Sequence, residues 1–123
     1  MSTFVEKWLT GPVPTDCGLH SGDDPDDLRH RSWARLRQDA RTLAAGLAMA
    51  GVGHGGRVAI LADDPGDVAD LVQATWTRGA AFTMLHQPTP RADLTVWLED
   101  TRTVISLLGA DVLVVGGIFA DAL

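Results

Sequence analysis

Four scarcities narrow this 123-residue chain before any motif is considered. Cysteine occurs once, at Cys17, so no internal disulfide is available, and a reducing, cytoplasmic setting is expected. Lysine also occurs once, at Lys7; the other nine of the ten basic residues are arginine. Basic charge is short overall, with a formal net charge of −6, which argues against nucleic acid because phosphate backbones are gripped by clustered cations. Long apolar runs are missing too, so no membrane span is expected. The start, Met1–Leu9, includes Glu6 and Lys7 and lacks the basic-then-apolar order of a signal peptide. What remains is a 46% hydrophobic, globular composition, with room for one core.

Along the chain, residues 1–31 read as a loop-rich lead-in and 32–123 as the structured part. Phe4, Val5, Trp8 and Leu9 fit one short amphipathic turn that Gly11-Pro12 ends. The acidic stretch from Ser21 to Asp27 reads as a solvated loop, since it lacks the alternating aspartates and glycine of a calcium hand. From Ser32, a capping residue, the residues Trp33, Leu36, Ala40, Leu43, Leu47 and Ala50 recur at helical spacing as one apolar stripe, and Gly51 ends it. Arg57–Leu61 is a short apolar run with the character of a buried strand.

Asp64-Pro65 opens a second helix, facing inward with Val68, Leu71, Val72, Thr75 and Trp76 and ended by Gly79. A second strand covers Ala80–Leu85. Thr89-Pro90 is expected to open a third helix with the face Leu94, Trp97, Leu98, Thr101, Ile105 and Leu108, closed by Gly109, before a strand at Val112–Val115. Strands separated by helices need crossovers, which predicts an α/β fold with a partial parallel sheet and helices packed on it. Trp33, Trp76 and Trp97 all fall on inward stripes, each worth about 2–3 kcal/mol if buried.

Few constellations carry chemistry. Gly51-Val52-Gly53-His54-Gly55-Gly56 has the G-x-G-x-x-G spacing of dinucleotide sites, but it follows a helix and feeds a strand, the reverse of the required order. It reads as a connector. Asp63-Asp64, at the end of the first strand, is similar to the acidic pair of receiver domains; that alternative, a small stand-alone signalling or interaction domain, lacks its phospho-accepting aspartate because the third strand ends at Gly116. His20, His30, His54 and His86 with Cys17 give no metal spacing beyond a lone Cys-x-x-His. None of the four serines sits in a G-x-S-x-G elbow.

The ordered set from Ser32 onward resembles the opening of the adenylate-forming (AMP-binding) ligases. It comprises Ser32-Trp33-Ala34-Arg35-Leu36, Leu43-Ala44, Leu47, Gly51-Val52, Gly55-Gly56-Arg57-Val58-Ala59 and Gly79-Ala80. Ala81-Phe82-Thr83-Met84 with Leu85-His86-Gln87-Pro88-Thr89-Pro90 is most similar to actinobacterial fatty acyl-AMP ligases and their fatty-acid–CoA ligase relatives. Two departures stand out: Arg35 replaces a glutamate, removing a reciprocal capping contact, and Gly56 replaces an aspartate, which is expected to loosen its loop.

The resemblance implies an enzyme of lipid metabolism that activates a fatty acid with ATP and magnesium and passes the acyl group to an acyl carrier protein or coenzyme A. Its phosphate loop, acidic metal ligands and late lysine have no counterpart in these residues. The expectation is therefore an inactive N-terminal fragment, completed by the remainder of the ligase domain, with no catalytic, cofactor-binding or metal residue of its own. Whether the chain is itself an enzyme stays open on sequence alone, and a domain whose sole role is pairing with another chain is a third reading.

Overall fold

The computed structural model describes residues 3–122, leaving aside the side chain of Ala122. In chain order the elements are α1 (Thr3–Thr10), β1 (Gly18–Ser21), β2 (Arg29–Ser32), α2 (Trp33–Met49), β3 (Arg57–Leu61), α3 (Pro65–Thr77), β4 (Ala81–Met84), α4 (Leu94–Leu108), β5 (Val112–Val115) and a 3₁₀ segment (Gly117–Ala122). The parallel sheet has the order β4-β3-β5, with Ala59 opposite Thr83 on one side and Leu113 on the other. Because β3 is central, helices cover both of its faces. Val58 and Ile60 pack with Leu47, Leu71 and Ala74 on the α2–α3 side, while Ala59 and Leu61 pack with Leu85, Trp97 and Phe119 on the α4 side. Burial on two faces explains why β3 reads as an unbroken apolar run rather than an alternating one.

Helix boundaries follow their caps. Ser32 Oγ accepts the Arg35 amide at 3.1 Å, and Asp64 Oδ1 accepts the Gly66 amide at 2.7 Å and the Asp67 amide at 3.4 Å. The helix expected at Thr89-Pro90 instead begins at Leu94. Asp93 Oδ1 takes the amides of Thr95 and Val96, and residues 89–92 form a turn closed by the Ala92 amide on the Thr89 carbonyl. A charged carboxylate facing two free amides at the positive end of the helix makes the stronger start. Gly109 adopts φ 59°, the left-handed conformation that closes α4.

The lead-in is more ordered than its composition implies. β1 and β2 form an antiparallel ribbon around the acidic loop, with Ser21 already part of β1. α1 extends over two turns rather than one, its Phe4 and Trp8 meeting Trp76 edge-on at 6.0 and 5.6 Å. Of the three tryptophans expected in the core, Trp97 is buried and Trp76 is half-buried beneath α1. Trp33 is exposed, because it is the first residue of α2 and precedes the first buried position, Leu36. Ala50 lies past the helix end and is exposed as well.

The glycine loop is held rather than loosened. A Cβ on Gly56 would meet the Gly53 carbonyl at 2.9 Å, the Gly55 amide bonds the Gly79 carbonyl, and Asp111 receives the Arg57 amide at 2.9 Å. Gly56 therefore fits a site too tight for a side chain.

Candidate functional site

In open α/β sheets, ligands gather beyond the carboxyl ends of the strands, where successive loops diverge. Here that edge is built from Ala62-Asp63-Asp64 after β3, Leu85-His86-Gln87 after β4 and Gly116 after β5. Backbone bonds fix it: the Gly116 amide donates to the Leu61 carbonyl at 2.7 Å and the Leu85 amide to the Ile60 carbonyl at 2.8 Å. Gln87 Nε2 donates to the Ala62 carbonyl at 2.7 Å, tying the β4 exit to the β3 exit. Trp97 Nε1 donates to the His86 carbonyl at 2.9 Å and so anchors the same exit to α4. Gly116 lies so close to β3 that a Cβ there would sit 3.1 Å from Ala62 Cα.

Beside this edge, Met84, Leu85, His86, Trp97, Thr101 and Val104, with the carboxylate of Asp100 among them, line a largely apolar cavity of about 300 Å³. Across the sheet, Leu43, Ala62, Leu71 and Val114, together with the carboxylates Asp67 and Asp70, line a second cavity of about 190 Å³. The first of these surfaces can receive an aliphatic or aromatic group. Both offer little to a triphosphate.

Residues 63–64 confirm the point. Asp63 is exposed, and Asp64 is occupied as the α3 cap and as the ion-pair partner of Arg29. Burial alone would raise the Asp64 carboxyl, but Arg29 and the amides of Gly66 and Asp67 outweigh it and hold it below the ordinary range. With Gly116 closing β5, the pair does not form a receiver-like phosphorylation centre. The other strand exit carries Pro88 and Pro90, which have no amide to donate. Among the described residues no group of three histidine, cysteine, aspartate or glutamate side chains can hold a metal ion. The carboxylates at 63–64 and the prolines at 88 and 90 are a poor match to nucleotide phosphates at these two strand exits.

The Gly51–Gly56 connector enters β3 at its amino end, away from this edge. His86 contributes its carbonyl at the edge; His54 lies in the glycine connector. Cys17 is exposed and free, and its carbonyl accepts the Trp33 amide.

One polar constellation had no local signal in the sequence. Arg31, on β2, donates from Nη1 to both oxygens of Asp70 at 2.9 Å and to Asp39 at 3.0 Å, and from Nη2 to the Gly66 carbonyl at 3.1 Å. Arg35 reaches the other Asp39 oxygen at 3.0 Å. Burial opposes the Arg31 charge, but the Asp70 and Asp39 hydrogen bonds prevail and push its pKa up. For Asp70 the balance differs: burial dominates over the Arg31 contact, and the carboxyl is raised, with Asp39 and Asp67 adding repulsion. One guanidinium divided between two carboxylates does not offset the burial of Asp70, whose carboxyl therefore shifts toward the protonated form. The cluster pins the ribbon to α2 and α3; its members lie 8 and 39 residues apart in sequence, beyond the reach of any spacing rule.

Comparison with known proteins agrees with this architecture. The sequence model for "AMP-binding enzyme" matches residues 17–116, beginning upstream of Ser32. Rv1013 of Mycobacterium tuberculosis, a protein named as a ligase, is 45% identical over the whole of this chain, which spans 22% of that relative's length. Among solved structures, the N-terminal domain of FACL13 from M. tuberculosis superposes with a TM-score of 0.70 at 18% identity, covering 97% of this chain and 27% of that one. An M. tuberculosis fatty acyl CoA synthetase gives 0.70 at 18% identity, covering 97% and 22%. The adenylation domain of a keto acid-selecting NRPS module, bound to keto acyl adenylate, gives 0.74 at 14% identity, covering 96% and 22%. These structures share the fold. On the family match over residues 17–116, the chain belongs to the AMP-binding enzyme family.

Proposed function

We propose that the chain supplies the opening scaffold of a fatty acyl-AMP ligase, or of its fatty-acid–CoA ligase relatives, and that it activates no acid by itself. The observation that carries this reading is the apolar strand-end surface around Met84, Leu85, Trp97 and Val104, beside exits that present carboxylates and prolines rather than amide donors. An acyl chain finds contact area there; a nucleotide does not. The neighbouring fatty acyl CoA synthetase fold and the FACL13 domain support the substrate class.

In the complete enzyme the remaining ligase domain would bring the phosphate loop, the magnesium ligands and the charge-stabilising lysine. The chain's own role is to hold one wall in position: Gln87, Trp97 and Gly116 fix the three strand exits relative to one another. No residue of the chain is assigned a catalytic part. The lead-in and the sheet act as one unit in this reading, in a cytoplasmic protein whose acyl acceptor is a carrier protein or coenzyme A.

ATP–pyrophosphate exchange with purified chain and a series of fatty acids is the direct test. The expected result is exchange indistinguishable from the acid-free control. Exchange that depends on added fatty acid would overturn the scaffold reading.

A further inference from the structure

We propose that His20 and His30 form a two-imidazole site for a borderline transition-metal cation, Zn²⁺ foremost, on the β1–β2 ribbon. This rests on the ribbon alone and is independent of the acyl-ligase reading. The two residues stand directly opposite each other in the antiparallel register. Their ring centroids lie 4.4 Å apart with planes inclined by 43°, and both side chains are exposed. Two imidazole nitrogens about 2.0–2.1 Å from a tetrahedral ion place the ring centres about 5 Å apart, so the rings must open slightly from their present contact, which exposed imidazoles do by rotation about their side-chain bonds.

The platform is stiff, so little ordering is left for binding to impose. Arg29 bonds Asp64, and Arg31 on the same strand bonds Asp39, Asp70 and the Gly66 carbonyl. The loop joining the two strands carries Asp23, Asp24, Asp26 and Asp27, which raise the local concentration of cations. Neutral imidazole prefers Zn²⁺, Ni²⁺ or Cu²⁺ to magnesium or calcium, which take oxygen ligands. Since no three-ligand group exists among the described residues, the remaining positions are filled by water, and the ion is exchangeable.

Titration of the untagged 123-residue chain with Zn²⁺ alone, followed calorimetrically and by the imidazole NMR resonances, tests the site. One ion per chain is expected, with the His20 and His30 signals shifting together. His20→Ala and His30→Ala are each expected to weaken binding by about tenfold or more, because a chelate loses its intramolecular second ligand. His30→Gln, which keeps a polar surface, must match His30→Ala, and circular dichroism must show the fold of each variant intact. His54→Ala is expected to bind as wild type does. The proposal is overturned by absence of Zn²⁺ uptake in the wild type, by equal binding in the wild type and folded His20→Ala, or by equal loss in His54→Ala.

Discussion

Two aspartates at the start and on the first turns of α3 respond to acid in opposite directions. Asp64, held below the ordinary carboxylate range, contributes stability that is complete above its unfolded-state value and is lost as pH falls through the lower folded value. Asp70, raised mainly by burial, opposes folding when ionised; lowering the pH through its folded value therefore restores stability. Below about pH 4 the Asp64 loss is expected to become visible in denaturant midpoints. Asp64→Asn should flatten that acid limb, while Asp70→Asn should steepen it by removing the compensating gain. Superimposable pH profiles for wild type and Asp64→Asn would show that the cap acts without its charge. Substitution of the cap by alanine should cost about 1 kcal/mol at neutral pH.

At the scale of an element, α1 is held by one distant guanidinium in addition to its ring contacts with Trp76. Arg37 of α2 donates to the carbonyls of Trp8, Leu9 and Gly11 and lies 5.0 Å from the centre of the Trp8 ring. Those of Trp8 and Leu9 belong to the last turn of α1 and that of Gly11 lies just beyond it, where no intrahelical donor remains, so a guanidinium with several N–H groups serves as a shared cap. Arg37→Ala is expected to release α1, with amide protection over residues 3–10 falling to near that of an open segment. Protection in α2 and β3 should be unchanged, since no core residue of theirs lies in α1. Concerted loss of protection throughout the chain would show that α1 is integral to the core instead. The local cost expected is about 1.5–3 kcal/mol, the range for hydrogen bonds to a charged group.

Across the whole molecule, the sheet ends on both sides in an edge strand, β4 and β5, each paired only with β3 among the described residues. α4 has only Trp97 and Thr101 buried, leaving Leu94, Val96, Val104 and Leu107 exposed, the last at 81%. Open strand edges and a half-covered apolar helix favour association with another surface. Sedimentation of the isolated chain is expected to show concentration-dependent self-association, reduced in Leu107→Lys. A monomer at every concentration, unchanged by that substitution, would contradict the expectation.

Read from sequence, the helix–strand alternation, the caps at Ser32 and Asp64 and the glycine stops at 51, 79 and 109 were accessible because each depends on neighbours within four residues. The family resemblance was legible for the same reason: it is an ordered series of local signals, and it agrees with the match over residues 17–116. The start of α4 was misplaced because Thr89-Pro90 and Asp93 both satisfy a capping rule, and the carboxylate wins through its charge. The ribbon escaped because Gly18–Ser21 and Arg29–Ser32 carry no apolar alternation; Arg31 and its carboxylates hold it in place across long sequence separations. Sequence by itself determined which segments bury an apolar face, since that is periodic and local. Tertiary structure alone decided which strand is central, which glycines admit no side chain and which histidines meet, because those depend on groups brought together only when the chain closes on itself.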